Sequence, residues 1–370
     1  GASGDLAPLA HVALVLMGEG EVLDRSGAAV PAAPALAAAG IEPVELVAKE
    51  GLALINGTDG MLGMLVLACL DLERLLKVAD ITCALSVEAL LGTDRAFEPW
   101  VAELRPHPGQ AASAENLLRL LAGSPIVASH RFGDPRVQDA YSLRCAPQVA
   151  GAARDTLEHA KLVATRELAS IVDNPVVLHD GRVESNGNFH GAPVAYVCDF
   201  LAIAIADLAS IAERRTDRLL DVARSEGLPA FLADDPGVDS GLMLAQYTQA
   251  ATVSELKRLA APASVDSIPT SAMQEDHVSM GWGAARKLRR AVQGLRQVLA
   301  VELVAGARGV ELRAPLAPGA GTGAALAALR QVVPGSGPDR FMSPELRAAE
   351  ELIASQSLLR AVETALGPLS

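Results

Sequence analysis

The stretch MLGMLVLACLDLERLLKVADITCALSVEALLG, residues 61–92, decides the fold. It contains no proline, and it is dominated by Leu, Ala and Met, which are good helix formers. The preceding NGTDG, residues 56–60, is typical of a helix start with Thr58 or Asp59 as the cap. We therefore predict a helix over 61–92, much longer than the average globular helix.

Other proline-poor segments resemble this one in composition. Their apolar residues cover most of the helix circumference, so each helix must be covered on nearly every side. The fold class that follows is mainly α: a bundle of long helices in one domain, residues 1–370, with further surface buried between subunits. Residues 19–50, with Gly, Pro and short Val-containing pieces, predict a small hairpin or loop region. The further helices are predicted over Gln148–Ile171, Val194–Arg224, Asp239–Leu259, Glu275–Leu312 and Pro344–Leu366.

Composition excludes several classes of protein. Of the 370 residues 50% are hydrophobic, which is ample for a core, and the net charge of −13 disfavours nucleic acids and anionic lipid as partners. The four cysteines form no CxxC pair, so neither a zinc site nor a disulfide framework is indicated. The most apolar stretches, 60–70 and 200–209, are too short to span a bilayer, and no signal peptide is recognisable. We expect a cytoplasmic protein whose partner is a small molecule or another copy of the chain.

The opening GASGDLAPLAH, residues 1–11, places a serine among very small residues. A nucleophile elbow, G-x-S-x-G, fails because Asp5 stands where the last glycine is required. The simplest alternative is a loop that caps a helix from Leu6. A third reading is chemical. The amide nitrogen of Gly4 attacks the carbonyl carbon of Ala2, and an imidazolone ring closes with loss of one water. Loss of the Ser3 hydroxyl as a second water leaves an exocyclic methylidene, an electrophile that ordinary side chains cannot supply.

Five further motifs give this opening a context. Together with GASGDLAPLAH they resemble the aromatic amino acid ammonia-lyase and aminomutase family over essentially the whole chain. The resemblance implies the prosthetic group 4-methylidene-imidazol-5-one (MIO), formed from Ala2, Ser3 and Gly4, and no metal. It also implies an N-terminal portion preceding the Ala-Ser-Gly, which this sequence lacks. The motifs are LINGTDGM (54–61), QDAYSLRC (138–145), SIVDNPVV (170–177), SNGNFHG (185–191) and AMQEDHVSMG (272–281).

The same resemblance assigns roles to polar residues. Asn56 and the backbone around Phe189 match the positions that stabilise charge on the MIO oxygen, although an NG pair alone is more typical of a turn. Gln138, Tyr141 and Arg144 recur every three residues, so one helical turn would aim them the same way. Arg144 offers a fork for a carboxylate, Gln138 a neutral hydrogen bond and Tyr141 a phenol for proton transfer. The alternative is a solvated polar face with Arg144 paired to Asp139 or another acid.

Substrate choice rests on QEDH, residues 274–277. Glu275 and His277 are two residues apart, which does not suit a metal site on a helix, and Glu275 alone could be a helix-start acid. The resemblance to histidine-specific members implies instead that Glu275 faces the substrate imidazole, with His190 a less certain neighbour of the MIO. We therefore expect L-histidine to be converted to trans-urocanate by a homotetramer with shared active sites. The alternatives are a phenylalanine or tyrosine ammonia-lyase, an aminomutase, or a catalytically silent helical oligomer.

Overall fold

The computed structural model describes residues 4–370, and helices dominate it, as the sequence predicts. Two short hairpins supply the strands of the described chain. The longer helices are α1 (Leu6–Leu16), α4 (Asp59–Ala89), α6 (Pro108–Leu121), α9 (Ala146–Leu168), α10 (Ala192–Leu220), α11 (Met243–Leu259), α12 (Gly281–Glu311), α13 (Ala320–Arg330), α14 (Ser343–Ala354) and α15 (Ser357–Leu366). The shorter ones are α2 (Ala32–Ala38), α3 (Glu50–Ile55), α5 (Pro99–Glu103), α7 (Pro125–Ser129) and α8 (Tyr141–Arg144). The strands are β1 (Glu21–Leu23), β2 (Ala29–Pro31), β3 (Val176–Val177) and β4 (Val183–Glu184).

Three predicted helices agree with the structure to within a few residues at each end: α4, α9 and α10. Two others begin later than predicted. α11 starts at Met243 rather than Asp239, because Gly237 and Gly241 adopt positive φ angles that a helix does not use. α12 starts at Gly281 rather than Glu275.

The last predicted helix is broken in two. Gln356 lies between α14 and α15 with a φ of 62°, in the left-handed region. Neither Gly nor Pro marks this position in the sequence, so propensity alone could not locate the break. Two helices in place of one allow the chain to change direction here, and α15 packs against both α14 and α13.

By its contacts, the chain divides into two compact units. The first unit comprises the chain up to Leu67, Ala160–Asp199 and Pro262–Arg289. Within it α1 packs against α3, and the predicted hairpin region forms β1 and β2, which pair antiparallel with Val22 opposite Val30. The second hairpin, β3 with β4, places Val177 opposite Val183.

The second unit comprises Ala68–His159, Phe200–Ala261 and Arg290–Ser370, and part of its core lies along α12. Gly306 lets this helix approach α4, since a Cβ there would lie 3.0 Å from Cβ of Leu85. Gly309 does the same beside Ala89, at 2.7 Å. The abundance of Ala and Gly in the sequence therefore has a packing cause: helix backbones in this unit lie very close together.

Two helical stretches are long and apolar enough to cross a membrane by length and composition, Glu50–Ala89 and Ala192–Leu220. The expectation that the apolar stretches are too short was therefore wrong about length, because the helices continue well beyond the most apolar residues. Of the relevant windows, 44% and 61% respectively are buried inside the structure. A core helix passes the same test, so these features are weak evidence for a membrane span.

Candidate active site

Gly4 is the described part of the proposed MIO tripeptide, since Ala2 and Ser3 lie outside the described residues. Its φ is +89°, and a Cβ at this position would lie 2.2 Å from the carbonyl oxygen of Gly57. A side chain is therefore excluded both by conformation and by space.

Asp5 ties the start of α1 to the start of α4. Its backbone N–H donates to the Gly57 carbonyl at 2.8 Å, and its side chain accepts from the Met61 N–H at 2.6 Å. Asp5 occupies the N-cap position of α1, which begins at Leu6 as predicted, but its side chain makes no capping bond to that helix. Burial raises the pKa of the carboxyl to about 6, although the bond from Met61 opposes this.

Helix N-termini converge at this point of the first unit. Met61 lies in the first turn of α4, and a Cβ at Gly191 or Gly281, immediately before α10 and at the start of α12, would lie 2.5 or 2.4 Å from its sulfur. Unpaired N–H groups at helix N-termini carry partial positive charge and stabilise anions. The arrangement therefore favours negative charge close to Met61.

Asn56 is 5% exposed and is held by the loop that follows α9. Its Nδ2 donates to the Asn174 carbonyl at 2.7 Å and lies 3.5 Å from Oδ1 of Asp173. Lys49 forms an ion pair with the same Asp173 carboxylate. Asn56 is therefore an oriented amide rather than a simple turn residue. Sequence reasoning quoted this loop as a motif but missed the roles of Lys49, Asp173 and Asn174.

The loop that contains Phe189 is bonded to the same segment. The Asn186 N–H donates to Oδ1 of Asn174 at 2.8 Å, and Nδ2 of Asn188 donates to the Ile171 carbonyl at 3.2 Å. Phe189 itself is half-buried. The structure thus links the loops of Gly4, Asn56 and Phe189 through hydrogen bonds within one unit.

His190 and His277 stack face to face. Their ring centroids are 5.7 Å apart and their planes differ by 5°. Nδ1 of His190 accepts from the Ala192 N–H at 3.4 Å, whereas Nε2 is buried and has no hydrogen-bond partner among residues 4–370. This contact brings the QEDH segment beside the Phe189 loop. Nothing in the local sequence signals it, because the two histidines are far apart in the chain.

Glu275 does not lie in a helix, so its interpretation as a helix-start acid is wrong. It pairs with Thr270 through both backbone groups, and Oγ1 of Thr270 donates to Oε2 of Glu275 at 2.7 Å. The segment is a small turn that half-buries Glu275, and α12 begins only at Gly281. Groups of His, Cys, Asp and Glu able to hold a metal ion do not occur in the described part of the chain.

Tyr141 and Arg144 lie on α8, a single turn in the second unit, as the three-residue spacing predicts. The Arg144 guanidinium lies over the Tyr141 ring, 4.6 Å from its centroid, and its Nε donates to the Asp139 carbonyl at 3.0 Å. The alternative of an ion pair with the Asp139 carboxylate is therefore wrong, since Arg144 uses the backbone oxygen. Gln138 precedes α8 and shares with Tyr141 a cavity of about 290 Å³.

Comparisons with known proteins place the chain in a family. A model described as "Aromatic amino acid lyase" matches residues 1–331. Histidine ammonia-lyases of Streptomyces avermitilis and Streptomyces coelicolor are 67% and 66% identical over all of this chain and 72% of their own length. The crystal structure of histidine ammonia-lyase from Trypanosoma cruzi is similar at 39% identity and TM-score 0.90, over 99% of this chain and 70% of that one. The crystal structure of tyrosine aminomutase from Streptomyces globisporus is similar at 38% identity and TM-score 0.93, over 100% of this chain and 74% of that one.

The chain therefore belongs to the aromatic amino acid lyase family, which confirms the resemblance drawn from the motifs. Within that family, the curated relatives at 66–67% identity are all named histidine ammonia-lyase.

The raised pKa of Asp5 predicts a pH dependence of stability. The unfolded chain ionises this carboxyl near its ordinary value, whereas the folded chain ionises it only near pH 6. The stability that the protonated group contributes is therefore complete below about pH 4 and is lost as the pH rises through about 6. We expect Asp5→Asn to remove this loss, so that thermal unfolding scans from pH 4 to 8 show the variant gaining up to about 3 kcal/mol relative to wild type.

Asp24→Asn is the matched control. The pKa of Asp24 is lowered, chiefly by its bond from Ser26, so its contribution is lost as the pH falls and the trend should reverse. If the stability difference between Asp5→Asn and wild type does not change with pH, the Asp5 carboxyl has an ordinary pKa.

Proposed function

We propose that the protein eliminates ammonia from L-histidine to give trans-urocanate. The observation that carries this proposal is the similarity of the whole chain, at 66–67% identity, to histidine ammonia-lyases. An ammonium group is a poor leaving group and the β-proton is weakly acidic. The reaction therefore needs an electrophile for the amine, a base for the proton, and groups that fix the carboxylate and the ring.

The prosthetic group that we propose is MIO, formed autocatalytically from Ala2, Ser3 and Gly4. Two features of the described residues fit it. Gly4 has the positive φ and the close approach to Gly57 that a tight backbone ring requires, and the converging helix N-termini favour the charge that develops on the ring oxygen. When formed, MIO supplies the electrophile that takes up the substrate amine.

The remaining groups follow from their chemistry. Arg144 binds the substrate carboxylate through its free guanidinium edge, assisted by a neutral hydrogen bond from Gln138. Tyr141 is the candidate for proton transfer, because its phenol is 70% exposed beside that guanidinium. Asn56 would exchange its long 3.5 Å contact with Asp173 for a hydrogen bond to the ring oxygen, and Phe189 would pack beside the ring.

Glu275 is the residue on which the substrate choice depends. A carboxylate accepts the N–H of an imidazole, whereas it would be left unpaired against a phenyl ring, at a cost of about 1–3 kcal/mol. The second candidate is another activity of the same family, a phenylalanine or tyrosine ammonia-lyase or an aminomutase. It is favoured by the TM-score of 0.93 to tyrosine aminomutase.

We further propose a cytoplasmic homotetramer that acts as one helical domain per chain, without nucleic acid or membrane as partner. Its active sites draw residues from more than one subunit. Support comes from exposed apolar side chains on long helices, such as Phe200 and Ile203 on α10, which are 46% and 47% exposed. Such surfaces usually mark an interface between proteins.

Replacing Ser3 by Ala removes the hydroxyl whose loss creates the methylidene. We expect histidine turnover to fall by at least about a thousandfold while the helical circular dichroism signal is kept. Intact-mass measurement should show the wild type lighter than its sequence by two waters and the variant without that deficit. The control is Ser26→Ala, an exposed hydroxyl in the β1–β2 turn. Near-normal turnover by Ser3→Ala would exclude MIO chemistry.

Replacing Glu275 by Gln keeps the shape of the side chain and removes its charge. We expect kcat/KM for histidine to fall by at least about tenfold and that for phenylalanine to fall less, so that the preference narrows. Both substrates are assayed by the unsaturated acid formed, with Glu184→Gln on exposed β4 as the control. An unchanged histidine-to-phenylalanine ratio means that Glu275 does not read the imidazole.

The oligomeric state is tested by light scattering of the intact protein at micromolar concentration, where we expect a tetramer. Ile203→Asp places a charge on the exposed apolar face of α10 and should shift the mass toward smaller species. Val183→Asp, on an exposed strand residue outside the long helices, should leave the mass unchanged. A stable wild-type monomer would contradict the proposed assembly.

A further inference from the structure

The second unit contains an ion pair that is almost completely removed from water. The side chains of Arg215 on α10 and Glu302 on α12 are 1% and 0% exposed. Nε and Nη2 of Arg215 both donate to the Glu302 carboxylate, the latter at 3.1 Å. The two planar groups therefore meet in the bidentate arrangement that guanidinium and carboxylate favour.

Glu302 is fixed further by α4. Oγ1 of Thr82 donates to its Oε2 at 2.7 Å, and Oγ of Ser86 donates to its Oε1 at 3.0 Å. Each carboxylate oxygen thus accepts two hydrogen bonds, so the carboxylate has little freedom to rotate. The orientation of the Arg215 guanidinium is set by this carboxylate.

The remaining edge of the Arg215 guanidinium contacts α8, the helix that carries Tyr141 and Arg144. Nη1 donates to the carbonyl of Ser142 at 3.3 Å. Ser142 lies within α8, directly after Tyr141 and two residues before Arg144. A helix of four residues has few hydrogen bonds of its own, so an external donor contributes substantially to its position.

Burying two charges is expensive, and a buried ion pair is seldom more stable than well-packed apolar residues of the same volume. Stability alone therefore gives no reason for a charged pair at this place. Hydrogen-bond geometry does give a reason for the charged pair. The planar guanidinium of Arg215 binds Glu302 with one edge and Ser142 with the other. A lysine ammonium lacks that fixed geometry.

We propose that Arg215 is a positioning residue, held by Glu302, which fixes α8 so that Arg144 presents its guanidinium to the substrate carboxylate. This inference rests on the proposed function, in which Arg144 binds that carboxylate. A shift of about 1 Å in a group that binds substrate can remove a large part of the rate. Arg215 therefore affects substrate binding through the position of Arg144, without touching the substrate itself.

The test is Arg215→Lys in the intact protein, with two competitive ligands. Imidazolepropionate carries the carboxylate that Arg144 binds, and 4-methylimidazole lacks it. We expect the inhibition constant of imidazolepropionate to rise about tenfold and that of 4-methylimidazole to stay within about twofold, with KM for histidine rising more than kcat falls.

Arg154→Lys is the matched control. Arg154 also binds a buried carboxylate in the same unit, Asp80, through Nη2 at 2.5 Å, yet it lies on α9 and makes no hydrogen bond to α8 in residues 4–370. Arg154→Lys should lower the unfolding temperature about as much as Arg215→Lys does, without changing the ratio of the two inhibition constants. Equal loss for both ligands, or the same ratio in both variants, would reduce Arg215 to a structural role.

A second variant covers the case in which Arg215→Lys does not fold. The double substitution Arg215→Met with Glu302→Met replaces the pair by apolar side chains of similar length, which such sites tolerate. It removes the bond to Ser142 together with the bonds that Thr82 and Ser86 donate to Glu302. The same carboxylate-selective loss is expected. If the wild type does not turn over histidine, the proposed function fails. If it does and neither variant separates the two ligands, the positioning role alone fails.

Discussion

The hydrogen bond from the Met61 N–H to the Asp5 carboxylate, at 2.6 Å, is the contact on which the candidate site in the first unit depends. It joins the beginning of α1 to the beginning of α4 and holds Gly4 against the Gly57 carbonyl. That close approach is possible only because Gly4 lacks a side chain. Burial of the same carboxyl raises its pKa to about 6, although the bond from Met61 opposes this rise.

The sequence predicted the long helices well because their signal is strong and local. Absence of proline, abundance of Leu and Ala, and apolar residues on most of the circumference identify α4, α9 and α10. Boundaries were predicted poorly where long-range contacts decide them. Glu275 lies in a turn because Thr270 pairs with it, and the chain breaks at Gln356 without a Gly or Pro to mark it.

In the candidate site, too, local features could be predicted from the sequence and long-range contacts could not. Gly4, Asn56, Tyr141 and Arg144 could be proposed from the sequence because they belong to short motifs. The contacts that hold the site together could not be predicted, because each joins two residues more than eighty positions apart in the chain. Examples are the hydrogen bond from Asn56 to Asn174 and the stacking of His190 on His277. Spacing along a sequence carries no information about such pairs.

Composition explains why supports of this kind are needed. Only 3% of the residues are aromatic, and helices of the second unit approach closely at glycines such as Gly306. Apolar packing of this kind provides stability but discriminates poorly between neighbouring arrangements. Hydrogen bonds are directional, and a buried polar network is satisfied in only one arrangement. In the second unit, the buried pair of Glu302 and Arg215 therefore supplies orientation that the apolar core cannot provide. In the first unit, the partly exposed pair of Asp173 and Lys49 holds the segment that binds Asn56.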